Sequence, residues 1–279
     1  MAYKTLLTVL TDPASVAPAL NAAAGLARAM DAHLDVLSLG IDRTQVGYSY
    51  IGGAAVLTAA SLERAEADAR GLDAAVRETL GREEVRWSSE AAVAQLGALA
   101  GLVAQRARFA DLVVLPRPYG KGKGAEDEAV VESALFEGQA PVLVLPEGGM
   151  KPEVGRRIVV AWNQSREAMR AVRAALPMLI AADRVCITVI DPPQHGPERS
   201  DPGGALSAML VRHGVKAEIS VLARTLPRIS DVLVRHIRDI DADLLVMGAY
   251  GHSRLTEALM GGATRNMLEE APVPVLLAH

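Results

Sequence analysis

Short apolar runs alternate with amphipathic, Ala/Arg-rich stretches along the whole chain. The runs predict strands near 4–10, 33–40, 84–89, 111–116 and 141–145, and again near 156–162, 184–190, 216–222, 243–248 and 273–277. Because these runs are apolar on both faces and are separated by helical stretches, they are typical of parallel strands joined by crossover helices. The pattern predicts an α/β protein of two doubly wound parallel-sheet domains in tandem, each with five strands.

The two halves repeat one another. Ala110-Asp-Leu-Val-Val-Leu115 matches Ala242-Asp-Leu-Leu-Val-Met247, and about thirty residues after the start of each copy comes a second matched run, Pro141–Leu145 or Val273–Leu277. The Pro/Gly-rich segment from Pro146 to Pro152 has no apolar periodicity and is predicted to be the linker. We therefore expect domains at 1–147 and 155–279.

The final strand of each domain, Pro141–Leu145 and Val273–Leu277, is an edge candidate in this topology. Long apolar edges are a liability unless they are paired. We expect the two strands to pair within the chain, so that the domains form an intrachain pseudo-dimer. A homodimer of the whole chain is a further hypothesis.

Composition narrows the classes of partner and compartment. The net charge of −4 does not favour a nucleic-acid partner, and the single cysteine, Cys186, indicates a reducing compartment and an apolar core position. The most apolar helical stretch, Ala91 to Ala104, is shorter than the roughly 20 residues that span a bilayer. The start of the chain lacks a signal-peptide pattern. A cytoplasmic protein that does not bind membranes is expected.

A glycine-rich loop comes after the strand that starts at Asp243. Gly248 and Gly251 come directly after the apolar run, Gly261 comes nine residues later, and a helix is predicted to start near Thr264. Backbone amides at a helix N-terminus are well suited to bind a phosphate group. Glycines are also common in ordinary strand-to-helix turns, so a purely structural turn is the alternative.

The spacing Gly-x2-Gly-x9-Gly resembles the nucleotide-binding loop of the universal stress protein family, and the whole chain resembles a tandem member with two adenine-nucleotide α-hydrolase-like domains. The resemblance implies an adenine nucleotide, with ATP expected, AMP or ADP as alternatives, and the need for Mg²⁺ left open. The implied ligand-binding residues are Asn163, Val189, Met247, Gly248, Tyr250, Gly251, Gly261, Gly262, Ala263 and Thr264.

Two of these positions depart from the family pattern. Asn163 stands where the family usually has Asp, and Gly262 stands where it usually has Ser or Thr. The lost hydroxyl at Gly262 removes one hydrogen bond, worth about 0.5–1.5 kcal/mol, which weakens binding without abolishing it. Arg254 and Arg265 are additional candidates for contacts with phosphate.

The first half lacks the double-glycine loop. Leu115-Pro-Arg-Pro-Tyr-Gly120 takes its place, and prolines have no amide to donate to a phosphate. The run from Lys121 to Gly124 is predicted to be a mobile, solvated loop, and Asp12 is predicted to cap a turn. The first domain is therefore expected to be degenerate as a site.

No sequence motif indicates catalysis. The chain contains no Gly-x4-Gly-Lys-Ser/Thr loop and no Gly-x-Ser-x-Gly elbow, and its six histidines show no metal-ligand spacing. We predict a non-enzymatic protein with no metal site and with at most slow, incidental ATP hydrolysis. The resemblance implies a regulatory role in the stress response. An interaction scaffold, or a binder of another small molecule with the same fold, is the alternative.

Overall fold

The computed structural model describes residues 2–43, 54–151, 153–192, 200–249 and 262–279. The chain divides into two compact units, Tyr3–Ala140 and Pro141–His279. Each unit consists of strands that alternate with helices, as the apolar pattern predicts.

The first unit contains four parallel strands in the order β3-β2-β1-β4. Helix α1 packs on α2, and α3 packs on α4, as expected for a doubly wound sheet. The elements are β1 (Thr5–Leu10), α1 (Pro13–Met30), β2 (His33–Asp42), α2 (Ala54–Leu80), β3 (Arg86–Gln95), α3 (Leu99–Ala107), β4 (Leu112–Leu115) and α4 (Ala125–Glu132).

The second unit begins with the last strand of the first repeat. Its strand order is β5-β10-β9-β6-β7-β8, and all of these strands are parallel except β5, which runs antiparallel to β10. The two final strands of the repeats therefore pair with each other, as predicted. The elements are β5 (Val142–Val144), β6 (Arg157–Ala161), α5 (Arg166–Ala181), β7 (Arg184–Ile190), α6 (Gly204–Arg212), β8 (Ala217–Leu222), α7 (Ile229–Asp239), β9 (Leu244–Gly248), α8 (Ala263–Glu270) and β10 (Val275–Ala278).

All ten predicted strands are present, but one helical prediction is wrong. The stretch Ala91 to Ala104 is not a continuous helix, because β3 extends to Gln95 and α3 begins only at Leu99. Strand β3 is therefore longer than the predicted 84–89. It pairs with β2 along its whole length, up to the pair of Asp42 with Gln95. This pairing overrides the local helix preference of the alanines at its end.

The aspartate of the repeated Ala-Asp-Leu motif has the same structural role in both units. Asp111 accepts hydrogen bonds from the backbone amides of Lys4 and Thr5, with N–O distances of 2.6 and 2.9 Å. Asp243 accepts from Gly155 at 2.9 Å, and from the next two amides at 3.1 and 3.2 Å. Each carboxylate thus fixes the start of the first strand of its repeat.

The core of each unit is built from Leu, Val and Ala. Cys186 lies in this core with 1% of its surface exposed, as predicted from its apolar neighbours. Over the part of the chain that the structure describes, no helix combines the length and the apolar character that a bilayer span requires.

Candidate functional site

The candidate site lies at the carboxyl edge of the second unit's sheet. Strand β6 pairs with β7 on one side and with β9 on the other, so the strand order reverses direction at β6. In a doubly wound sheet the crevice outside this switch point is where ligands bind. The ends of β6, β7 and β9 deliver Asn163, Val189 and Gly248 to this edge.

Asn163 organises the turn from β6 into α5. Its side-chain oxygen accepts a hydrogen bond from the amide of Ser165 at 3.1 Å, and the Ser165 hydroxyl caps α5 by accepting from Ala168 N at 3.1 Å. Gln164 between them is in the left-handed region, with φ of 63°. Asn163 is exposed, and its Nδ2 has no hydrogen-bond partner among the described residues. The Asn163 amide group is therefore available to donate to a ligand.

Gly248 has a structural reason to be glycine that does not depend on a ligand. A Cβ at this position would lie 2.4 Å from Ala168 N and 2.6 Å from the carbonyl carbon of Glu167. Both atoms belong to the first turn of α5, which therefore approaches the end of β9 too closely for any side chain. This close approach supports the alternative interpretation of Gly248, in which the glycine belongs to a purely structural turn.

The start of α8 supplies the other described residues of the predicted loop. Gly262 is the N-cap with extended backbone, Ala263 is the first helical residue, and Thr264 is buried with 3% of its surface exposed. Because Gly262 has no side chain, it cannot cap the helix as Ser or Thr would. Arg265, predicted as a phosphate contact, forms an ion pair with Glu269 at 3.0 Å on the half-exposed helix surface.

Val189 and Met247 are 4% and 7% exposed, so each contributes mainly to the core beneath the site. The register of β6 places Trp162 on the same face of the sheet as Val189 and Gly248. The indole Nε1 of Trp162 is buried without a hydrogen-bond partner among the described residues. No sequence signal marks this group, since a tryptophan after an apolar strand is typical of ordinary core.

Three predicted site residues, Tyr250, Gly251 and Gly261, lie outside the described residues, as does Arg254. The structure places the other seven at the carboxyl edge of one sheet: Asn163, Val189, Met247, Gly248, Gly262, Ala263 and Thr264. Their roles in ligand binding remain predictions.

His279 is a site neighbour that the sequence did not predict. Its Nδ1 lies 3.0 Å from the carbonyl oxygen of Ala249, and because a carbonyl only accepts, Nδ1 is the protonated nitrogen. The guanidinium of Arg170 donates to the carbonyl oxygen of His279 at 2.7 Å. His279 is thereby held beside the start of the glycine-rich loop. The residues lie 30 and 109 positions apart, so no local pattern could have shown the contact.

The corresponding edge of the first unit is occupied by the protein's own charges. The ammonium of Lys123 lies 3.3 Å from a carboxylate oxygen of Asp127 and 3.8 Å from one of Asp12. Asp12 also caps α1 by accepting from the amide of Ala14, as predicted. The prediction of a solvated loop is wrong at Lys123, whose side chain is only 16% exposed, because these two carboxylates hold it.

Carboxylates of the chain also cap the N-terminus of α4. Asp127 accepts from the backbone amide of Gly124 at 2.9 Å, and Glu126 forms an ion pair with Arg43. The hydrogen bond from Arg43 holds the pKa of the Glu126 carboxyl below its usual range. Carboxylates of the chain itself thus fill the helix terminus at which an external anion would bind.

A cleft of about 1180 Å³ opens at the opposite, amino-terminal edge of the second unit's sheet. Cations such as Arg156 and Arg238 and anions such as Asp183 and Asp241 line it together. This mixture of charges gives no preference for an anionic ligand. The described residues contain no group of three or more His, Cys, Asp or Glu side chains that could hold a metal ion.

The fold and the switch point define a doubly wound α/β protein with a candidate ligand-binding site in its second unit. Residues 155–279 match the Universal stress protein family. Residues 155–279 therefore carry a domain similar to those of this family.

Individual relatives agree with this assignment. Universal stress protein Slr1230 of Synechocystis sp. (strain ATCC 27184 / PCC 6803 / Kazusa) is 25% identical over 154 residues. The alignment covers 55% of this chain and 50% of that protein, so the chain matches about half the length of this curated relative.

Solved structures extend the similarity in fold to both units. The crystal structure of a universal stress protein from Archaeoglobus fulgidus DSM 4304 is similar over 99% of this chain and 96% of its own, with a TM-score of 0.67 and 14% identity. A second crystal structure, from Pseudomonas aeruginosa UCBPP-PA14, covers 99% of this chain and 93% of its own, with a TM-score of 0.59 and 17% identity. At these identities the likeness shows the fold alone.

Proposed function

We propose that the protein binds an adenine nucleotide, most naturally ATP, at the carboxyl edge of its second unit, and that occupancy of this site regulates its interactions in a stress response. AMP and ADP are the alternatives, and Mg²⁺ accompanies the nucleotide only if its phosphates require it. A cytoplasmic location and a non-enzymatic role are part of the same proposal. The observation that carries it is the contrast between two equivalent helix N-termini.

Helices α4 and α8 occupy the same place in the two repeats and start alike. Each has a glycine at the N-cap and an alanine as its first residue, Gly124-Ala125 in α4 and Gly262-Ala263 in α8. Amides in the first turn of a helix carry partial positive charge and attract anions. The two helices differ in the residues that come after this alanine.

In α4 the first turn contains three carboxylates, Glu126, Asp127 and Glu128, and one of them accepts from the N-cap amide. In α8 the first turn contains no acidic residue and carries the cation Arg265. The first turn of α4 thus supplies its own carboxylates to the helix N-terminus, whereas the first turn of α8 contains none. A nucleotide phosphate would bring negative charge to the first turn of α8, which has no carboxylate of its own.

The neighbouring turn suits the base of a nucleotide. Asn163 uses its side-chain oxygen within the turn and keeps Nδ2 as a donor for an acceptor nitrogen of adenine. A neutral amide contributes less than the carboxylate usual in the family, and Gly262 contributes no hydroxyl. We therefore expect affinity about tenfold or more below that of a site with both groups.

The described residues of the site contain no nucleophile paired with a general base. Cys186 and His236 contact each other, but both are buried in the core, away from the strand ends. Nucleotide binding without efficient chemistry suits a regulatory protein, and any ATP hydrolysis should be slow.

A matched pair of variants tests the proposal. Ala263→Glu places a carboxylate in the first turn of α8, where it repels phosphate, while Ala125→Glu makes the same change in α4. Negative charge near a helix N-terminus does not destabilise the helix, so both variants should fold. By calorimetry, A263E should raise the Kd for ATP about tenfold or more, and A125E should leave it unchanged.

Thermal melting gives an independent measurement on the same proteins. ATP at about 100 times Kd should stabilise the wild-type fold by about 2.7 kcal/mol. Mass spectrometry of the purified protein would identify any nucleotide that is retained. An absence of any melting shift at millimolar ATP, together with no retained nucleotide, would rule out the proposal. The scaffold alternative, which the packing role of Gly248 favours, would then stand.

A further inference from the structure

Helix α5 has an outward face that carries three arginines in a row. Its buried residues, such as Ala168 and Ala175, lie on the side that packs against β9. Arg166, Arg170 and Arg173 are separated by four and three residues, so they form one stripe on the opposite side, and all three are exposed. This arginine stripe is two turns long, about 10 Å from its first residue to its last.

The arginine stripe has no carboxylate partner among the residues that the structure describes. None of its three side chains forms an ion pair with an Asp or Glu there, and the guanidinium of Arg170 donates to the main-chain carbonyl of His279 instead. Glu167 is the one acidic residue of α5. It is half-buried and forms no ion pair with Arg170, three residues later. The positive charge of the stripe is therefore not compensated within the described part of the chain.

The long helix of the first unit treats its exposed arginines differently. On α2, Arg70 and Arg77 each form an ion pair with the carboxylate four residues earlier, at 3.4 and 2.7 Å. On α5 the residue four positions before Arg170 is Arg166, so a like charge stands where α2 has an opposite one. Like charges at this spacing destabilise a helix.

The place of the stripe within α5 adds a second electrostatic cost. Arg166 is the first residue of the helix, and the last turn contains no basic residue. The N-terminal end of a helix carries partial positive charge, so cations are favoured at the other end. Arg166 thus lies where the helix dipole repels it. An anionic partner at this end of α5 would relieve this repulsion together with that between the arginines.

We propose that the outward face of α5 is a docking surface for an acidic segment of a partner protein, whose carboxylates pair with the arginine stripe. A row of carboxylates is the complement of a row of guanidinium groups, each of which can bind a carboxylate through two hydrogen bonds. A single phosphate group matches only one part of a stripe that is two turns long.

The rest of the same face defines the partner further. Ile180 lies two turns beyond Arg173 and is 44% exposed, so the partner segment would place an apolar residue after its carboxylates. The net charge of −4 makes a nucleic acid a poorer partner than a short acidic segment, because the rest of the chain would repel a long polyanion.

Fluorescence anisotropy with a labelled helical peptide measures this docking. The peptide carries three glutamates with the spacing of the stripe and a leucine seven residues further on, and it is made in both chain directions. One direction should bind the wild-type chain, and raising the salt from about 0.05 to about 0.5 M should weaken binding, because exposed charges are then screened. The same peptide with glutamine in place of each glutamate should not bind.

Two double variants with the same change in net charge locate the surface. R166Q/R173Q removes both ends of the stripe but keeps Arg170 and its hydrogen bond, and it should weaken peptide binding about tenfold. R64Q/R212Q removes two other exposed arginines, on α2 and α6, that form no ion pair with a described carboxylate. This control should bind the peptide as the wild-type chain does.

Thermal melting separates docking from a structural role. Because the arginines repel one another and the helix dipole, R166Q/R173Q should melt at the wild-type temperature or above it. A clear loss of stability would show that the arginines support the fold, and the proposal would then be wrong.

Three binding results would also overturn the proposal. Neither direction of the acidic peptide could bind up to millimolar concentration, R64Q/R212Q could lose as much affinity as R166Q/R173Q, or a single-stranded oligonucleotide or an anionic vesicle could bind more tightly than the peptide. The measurements contain no nucleotide, so their outcome is independent of the proposed function. A263E, which tests that function, should bind the peptide with wild-type affinity.

Discussion

At the scale of single residues, the most unusual group in the second unit is a polar cluster within its apolar core. The thiol of Cys186 lies 3.5 Å from Nε2 of His236 and 3.2 Å from the hydroxyl of Ser220. His236 is 8% exposed, and burial lowers the pKa of its imidazole below the ordinary value. The folded state therefore favours neutral His236 over its charged form.

This neutral state predicts a pH dependence of stability. The unfolded chain binds a proton at His236 near pH 6.5, while the folded chain binds it only at lower pH, so stability is present above the unfolded pKa and is lost as pH falls. Between the two pKa values the free energy of unfolding should fall by up to about 1.4 kcal/mol per pH unit. Urea unfolding between pH 7.5 and 5 measures this slope.

His236→Gln should flatten the slope, since the variant has no imidazole to titrate. His213 ends α6 on the exposed surface of the same unit, so His213→Gln is the matched control and should keep the wild-type slope. An unchanged slope in H236Q would mean that another group causes the acid sensitivity.

Residue roles differ in how far they could be predicted. The cap at Asp12 and the core position of Cys186 depend on local sequence and were predicted. The packing role of Gly248 was not, because the glycine contacts α5, whose first turn is about 80 residues earlier in the chain. The loop pattern favours a phosphate-binding role for Gly248. Only the three-dimensional structure shows that α5 leaves no room for a side chain at this position.

At the scale of elements, the aspartates of the two Ala-Asp-Leu motifs fix the starts of β1 and β6. Asp243 binds three successive backbone amides at the start of β6, and Asp111 binds two at the start of β1. Thr5 and Arg157 are the first residues of β1 and β6, and the other amides directly precede them, so the carboxylates accept from donors at the start of each strand. The apolar pattern predicted the strands, and the repeat marked the aspartates without showing their partners, which lie 86 to 107 positions away.

Asp243→Asn should therefore destabilise the second unit by about 1–3 kcal/mol, because an amide is a weaker acceptor than a carboxylate and its NH₂ group faces other donors. Chemical denaturation measures the loss, and hydrogen exchange should show faster opening of amides 155–157.

The control is Asp241→Asn, two residues earlier, whose side chain is 79% exposed and whose ion pair with Arg157 is 4.0 Å long. An exposed pair of this kind is worth about 0–1 kcal/mol at most. Equal destabilisation by D243N and D241N would contradict this role for Asp243.

The helical misprediction at Ala91 to Ala104 also has its origin at the scale of elements. Local preference favours a helix there, while the strand β2 supplies a partner as far as Asp42. The local sequence does not contain the partner strand, so the extent of β3 could not be derived from it.

At the scale of the whole molecule, the two repeats have the same fold but carry different residues at the carboxyl ends of their strands. Both units keep parallel strands flanked by helices, which explains why the fold was predictable from the apolar pattern throughout. The candidate sites diverge through a few polar residues, above all Lys123 and Asp127 in the first unit. The fold depends on many repeated positions, whereas the site depends on a few, so the site is the harder of the two to predict.

This divergence predicts the binding stoichiometry. The N-terminus of α4 is capped by Asp127, the ammonium of Lys123 is held between Asp12 and Asp127, and Pro116 and Pro118 offer no amides to a phosphate. A nucleotide at this edge would have to displace carboxylates that already satisfy both the helix terminus and the lysine.

Equilibrium dialysis with labelled ATP should therefore give one nucleotide per chain. A263E should bind close to none at the same concentration, and A125E should still bind one. Two nucleotides per wild-type chain would show that the first unit can open its own ion pairs to admit a ligand, and the asymmetry between α4 and α8 would then not decide where the nucleotide binds.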